Sequence, residues 1–269
     1  MRTKFFASWR TLPLTLCVLL AMGIRLPAQG YVSSQKVSQP ANSNGDVAIA
    51  RRRMGFRMPN VRPSRNRTAG ASRGSCGADI ASPVALLPSE QRIGLTIEAN
   101  PTLLFNISQP STASAEFILQ EIEGEKIIRE VYATTIELPK ASGVISISVP
   151  KGEDSSQSLE VGKRYEWSFA LICDLKDRGQ DIILDGEIER FEPSAELTST
   201  LQKAAPKERP SVYADAGVWY DAVADLAKLR QEHPNDSQLA TDWETLLQSV
   251  GLDAIAQSPL VGSVEGHNN

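Results

Sequence analysis

Asp185, Glu187 and Glu189 stand at alternate positions of one short run, which puts three carboxylates on one side of an extended strand. Paired carboxylates held a few ångströms apart in a cleft can hydrolyse a glycoside. One protonates the leaving oxygen while the other attacks or activates water. Alternate acids on a strand are also what its solvated side looks like. A carboxylate-dependent glycan hydrolase is one reading of this pattern, and a plain polar strand face is the other.

Few other chemistries have the residues they need. The chain holds two histidines, His233 before a proline and His267 near the last residue. Neither lies near a nucleophile pattern, so Ser–His and Cys–His catalysis have little support, and a His-rich zinc site lacks ligands. No Walker loop, GxGxxG or HExxH occurs. Asp174 to Asp185 has the first position, central Gly179 and last position of a calcium loop. Lys176 and Arg178 stand where ligands belong, and cations there repel calcium. The segment reads instead as a polar hairpin turn with Gly179 at positive φ. The expectation is a non-catalytic chain with no cofactor and no metal.

The start of the chain concerns address. Arg2, Lys4 and Arg10 precede an apolar run from Leu12 to Ile24, and small residues follow at Ala28 and Gly30. This is the pattern of a secretory signal over residues 1–30, too short and wrongly flanked for a membrane span. The expected product begins at Tyr31, has no transmembrane span, and is periplasmic or extracellular. Cys17 would leave with the signal, and Cys76 and Cys173 would remain. In an oxidising compartment two cysteines most simply form one disulfide. Two buried thiols or an intermolecular bridge are the alternatives. No CxxC supports redox catalysis.

Charge divides the remainder. Residues 31–75 carry nine Lys or Arg and one acid, a net +8, whereas residues 76–269 carry 15 bases and 31 acids, a net −16. The basic stretch includes Arg51, Arg52, Arg53 and Arg57, and prolines and glycines interrupt it. Its only concentrated apolar residues are Met54, Phe56 and Met58. Such a stretch buries too little apolar surface to offset the entropy of ordering, so it reads as a disordered arm. It could adhere to an anionic polymer, or be a solvated spacer. An acidic body makes nucleic acid an unsuitable partner.

The elements follow from periodicity. Strands are expected at Thr102–Ser108, Ala115–Ile122, Lys126–Leu138 around a Gly124 hairpin, Gly143–Val149, Arg164–Asp174 and Asp181–Phe191. In the fourth, Ile145, Ile147 and Val149 take one face and Val144, Ser146 and Ser148 the other. Tyr165, Trp167, Phe169, Leu171 and Cys173 share one parity, as in a half-buried strand. From Pro193 the period becomes helical. Ser194 reads as a cap, and Val212, Ala216, Trp219, Val223 and Leu226 form a stripe that His233-Pro234-Asn235 ends. A last helix runs from about Ser237 to Val250, with Gly251 at its C-cap. Trp219 and Trp243 read as core residues.

Leu159-Glu160-Val161-Gly162-Lys163-Arg164-Tyr165-Glu166-Trp167 resembles the tyrosine corner of immunoglobulin- and fibronectin-like sandwiches. That resemblance implies an antiparallel β-sandwich over residues 76–192. Gly217-Val218-Trp219-Tyr220-Asp221-Ala222-Val223, with Pro234-Asn235, resembles half of a single tetratricopeptide repeat, which implies a helical hairpin over residues 193–258. Residues 259–269 read as a disordered tail.

The order of several stretches also resembles a family of exported cyanobacterial proteins defined by a domain of unknown function, DUF928. They include Ala85-Leu86-Leu87-Pro88, Asn100-Pro101-Thr102, Val161 to Trp167, Cys173-Asp174, Gly217 to Ala222 and Leu246 to Leu252. The resemblance implies an envelope location and carries no activity or site residue with it. The expected function is binding. The partner would be another envelope protein at the helical face, or an anionic polysaccharide at Arg51, Arg52, Arg53 and Arg57. A purely structural or assembly role is the further alternative.

Overall fold

Tyr165, Trp167, Phe169 and Leu171 all point into the core, while Arg164, Glu166 and Ser168 between them stay half-buried. The alternation is that of a strand with one face on a core. The structure, a computed structural model, describes residues 53–60, 76, 82–88, 93–108, 114–151 and 157–264. All of them lie in the unit Ala50–Asn269. The expected signal segment, and Arg51 and Arg52, fall outside the described residues.

The class is mixed α and β. One sheet has the order β2-β8-β7-β4-β5 and the other β1-β3-β6-β9, and neither closes into a barrel. The strands are β1 (Val84–Ala85), β2 (Ile93–Thr96), β3 (Thr102–Ile107), β4 (Ser114–Glu123), β5 (Lys126–Glu137), β6 (Gly143–Ser148), β7 (Arg164–Leu171), β8 (Ile182–Arg190) and β9 (Leu260–Val264). The helices are α1 (Ala195–Lys203), α2 (Arg209–Asp215), α3 (Trp219–Glu232) and α4 (Ser237–Gln248). Among described residues no helix is long and apolar enough to cross a membrane.

The two sheets share one apolar core. Phe105 of β3 stacks on Phe169 of β7 at 4.5 Å and meets Trp167 edge-on at 5.3 Å. Offset and edge contacts of this kind suit the ring quadrupoles. Helix α3 closes one side of the core. It buries Trp219, Tyr220, Val223 and Leu226, and the Trp219 indole N–H donates to the Leu86 carbonyl at 2.7 Å. Trp243 of α4 is fully buried too. Two glycines permit this packing. A Cβ on Gly94 would strike the Tyr220 ring, and one on Gly186 would strike the Trp167 ring.

The alternation predicts antiparallel pairing throughout, but β2 pairs with β8 and β6 with β9 in parallel. Residues 259–269 are expected to be a tail, yet Leu260–Val264 adds a strand to β6 and packs Leu260, Val261 and Val264 on the core. Without β9, β6 would present an open row of backbone groups. The single apolar stripe from Val212 to Leu226 is two helices. Gly217 takes φ +76° between α2 and α3, where the Val218 N–H reaches the Tyr213 carbonyl and the Gly217 N–H the Ala214 carbonyl. That is a glycine-dependent C-terminal stop. Gly251 at φ +78° does the same after α4. The basic arm reads as disordered throughout, but residues 53–60 pack on the helices, with Met54 buried and Phe56 edge-on to Trp219 at 4.9 Å.

Candidate functional site

The acids of β8 lie on the outer face of its sheet, opposite Arg164 of β7, because Arg164 pairs with Glu189 and Glu166 with Glu187 in register. The Arg164 guanidinium bridges Glu187 at 3.5 Å and Glu189 at 3.1 Å, and Glu187 is only 6% exposed. The cation thus lies between two of the three carboxylates. Asp185 shares the face and is half-buried.

A second ion cluster fixes the turn before β7. Glu121 is buried at the end of β4 and takes Arg129 at 2.8 Å and Lys163 at 3.2 Å. Its pull holds the Lys163 ammonium above its ordinary value. The Glu160 N–H donates to the Tyr165 hydroxyl at 2.7 Å, and Gly162 turns at φ +77°. Tyr165 thus bonds to backbone upstream of its strand. Burial pushes its phenol up.

Cys76 and Cys173 are joined in a disulfide, Cα to Cα 5.1 Å, 97 residues apart in sequence. It ties the segment after the arm to the end of β7. Beyond it, Asp177 caps a short turn, Arg178–Gln180, by accepting the Gly179 N–H. The segment does join the antiparallel pair β7 and β8, but Gly179 does not take the positive φ expected of it. Arg178 pairs with Asp181 and Glu116, so a cation already fills this loop. Among described residues no group of three His, Cys, Asp or Glu is placed to hold a metal.

A cavity lies elsewhere. A groove of about 420 Å³ runs between α3 and the β3-β6-β9 sheet. Its floor carries two hydroxyl pairs: Thr102 with Ser148 at 2.8 Å, and Ser146 with Ser263 at 3.0 Å. Asp225, Lys228, Gln231 and Glu232 form the helical wall, and Leu104, Val144 and Ala224 supply apolar patches. Burial holds the Asp225 carboxyl above its usual range against the pull of Lys228 and Arg209. The hydroxyl floor was half legible: Ser146 and Ser148 alternate with the core residues of β6. What faces them was not, because it depends on where α3 lands.

Arg53 and Arg57 are exposed. Arg53 lines a smaller pocket of about 190 Å³ with Asp215, Asp242 and Lys207.

These features define a class: a two-sheet domain with a helical layer, stapled by one disulfide, with a polar groove between layers. The chain belongs to the family described as Domain of Unknown Function (DUF928), whose model matches residues 68–260. No curated protein and no solved structure matches the chain.

Proposed function

We propose that the protein is an exported, non-catalytic binding module of the cell envelope, which holds a polysaccharide segment in the groove between α3 and the β3-β6-β9 sheet. The groove is the observation that carries the reading. Paired hydroxyls can each donate and accept, and beside them stand two carboxylates, an amide and an ammonium. That mixture suits a ligand rich in hydroxyls, with few charges of its own to compensate. Export is supported by the basic–apolar–small pattern of residues 1–30 and by the disulfide. Kinship to immunoglobulin-like sandwiches belongs to the same proposal, supported by the Tyr165 hydroxyl on Glu160. So does the likeness of α3 and α4 to a tetratricopeptide hairpin, supported by the His233–Asp236 turn between them.

A second reading places an anionic polysaccharide on the arm, supported by the exposure of Arg53 and Arg57. The glycan-hydrolase reading keeps Asp185, Glu187 and Glu189 as its residues.

Binding of soluble neutral and uronic-acid oligosaccharides to the full chain, followed by calorimetry, separates these. Ser146→Phe fills the groove floor and should reduce affinity at least tenfold. Undiminished binding by a folded Ser146→Phe protein would sink the groove reading. Loss with Arg53→Glu/Arg57→Glu and with salt would move the site to the arm. Chain shortening abolished by Asp185→Asn/Glu187→Gln would make the protein an enzyme.

A further inference from the structure

Residues 53–60 touch the body as a bound peptide would. They belong to no helix or strand, yet they make a set of specific contacts with the helical layer. Met54 is buried, and Phe56 sets its ring edge-on to Trp219 at 4.9 Å. The Phe56 N–H donates to the Ser249 hydroxyl at 3.0 Å, where α4 ends. The Arg57 N–H donates to the Ala214 carbonyl at 3.1 Å, where α2 ends. Gly217 sits beneath the Arg57 carbonyl and Pro59, so a side chain there would crowd the segment. At the other end Arg53 lines one pocket with Asp215, Asp242 and Lys207.

These contacts have the parts of linear-motif recognition. Two apolar side chains anchor the segment, and two backbone N–H groups are read by fixed acceptors. Both acceptors stand at helix ends and are held there by the body itself, since the Ala214 carbonyl also accepts the Gly217 N–H and the Ser249 hydroxyl donates to the Leu246 carbonyl. Charge favours such segments over a longer range as well, because residues 31–75 carry a net +8 and residues 76–269 a net −16.

We propose that the surface between the ends of α2 and α4 and the start of α3 is a binding site for short peptides of the pattern Met-x-Phe, occupied at rest by the chain's own residues 53–60. The tethered segment competes at the effective concentration of a short linker, on the order of millimolar. An outside peptide therefore gains the site only when it is abundant, or when the resident segment is weakened. This site is separate from the α3 groove and does not depend on the polysaccharide reading.

The test uses the full chain and a synthetic peptide of residues 51–60. In Met54→Ser/Phe56→Ser the resident segment loses both anchors, and the peptide should bind with Trp219 fluorescence changing. Wild-type protein should bind it at least tenfold more weakly. A peptide carrying Phe56→Ser should not bind. The proposal fails if the double variant, with its disulfide and circular dichroism intact, ignores the peptide. It fails equally if wild type and variant bind alike, or if the Phe56→Ser peptide binds as well, since charge alone would then explain the contact. Should the double variant not fold, hydrogen exchange on wild type decides. Millimolar peptide should speed exchange at the Phe56 and Arg57 amides and nowhere in the sheets. Unchanged rates at both amides would overturn the proposal.

Discussion

The Trp167 indole N–H donates to the Tyr220 hydroxyl at 2.8 Å, and that hydroxyl donates on to the Glu187 carbonyl at 3.1 Å. One phenol oxygen therefore joins β7, β8 and α3 inside the core. Burial raises the Tyr220 phenol well above its ordinary value, so it stays a donor at any ordinary pH. Tyr220→Phe keeps the ring on Gly94 but takes the hydroxyl away from the buried Trp167 N–H. The expected loss is about 1–3 kcal/mol, read as a lower urea midpoint at unchanged slope. An unchanged midpoint would mean that the chain through Tyr220 contributes nothing to stability.

The same ring sets a second expectation. Gly94 lies under Tyr220 with no room for a methyl group, whereas nothing lies within 4 Å of a Cβ on Gly55. Gly94→Ala must push either the ring or β2, and overpacking of that kind costs about 1–3 kcal/mol. Gly55→Ala should leave stability within a few tenths of a kcal/mol. Thermal melts of the two variants check the contrast. Equal melting temperatures would show that α3 moves away freely.

The Cys76–Cys173 bridge closes a loop of 97 residues. In the chain-entropy picture it restricts the unfolded chain by about 4–5 kcal/mol. Cys76→Ser/Cys173→Ser should unfold at clearly lower denaturant, and its slope should rise as the unfolded chain expands. Denaturation of wild type with and without reductant reads the same effect. Insensitivity to reductant would leave the bridge without a stabilising role.

How much of this was visible beforehand depends on where each signal resides. The alternation from Tyr165 to Leu171 is carried by large aromatics, so β7 and its inward face were legible from residues alone. So were the Ser194 cap, which accepts the Leu197 N–H at 3.1 Å, and the Gly251 stop. The Cys76–Cys173 pair followed from there being just two candidates. In contrast, β9 is Leu260-Val261-Gly262-Ser263-Val264, short and without alternation. It becomes a strand because β6 offers an open edge. The packed segment around Met54 and Phe56 was hidden by arginines, prolines and glycines, whose average says disorder. Composition cannot report a matching surface some 190 residues later, at Ser249. The groove was half visible for the same reason. Its floor is local to β6 and β3, and its wall comes from a helix far away in sequence. Glu187 looked like one of three equivalent acids, and only the register with β7 shows that Arg164 claims it.

Asp221 offers the clearest dependence on pH. It is buried in the first turn of α3, where its Oδ2 accepts the Ile97 N–H at 3.3 Å and its Oδ1 has no partner. Burial raises its carboxyl to about 7, against the hydrogen bonds of Thr96 and Ile97, and exposed Glu98 adds repulsion. Tyr213 from α2, Asp225 one turn on and Arg209 share this corner. The unfolded chain releases this proton near 3.8, and the folded chain keeps it until about 7. Between those values the folded state binds more protons than the unfolded one, so this group's contribution falls as pH rises, by at most about 1.4 kcal/mol per pH unit. Above about 7 both states are ionised and the dependence levels off. Asp221→Asn removes the titration while leaving an acceptor for the Ile97 N–H. Its urea midpoint should therefore lie above that of wild type at pH 8, and the two should converge toward pH 4. Parallel curves across that range would show that Asp221 is not the group that titrates.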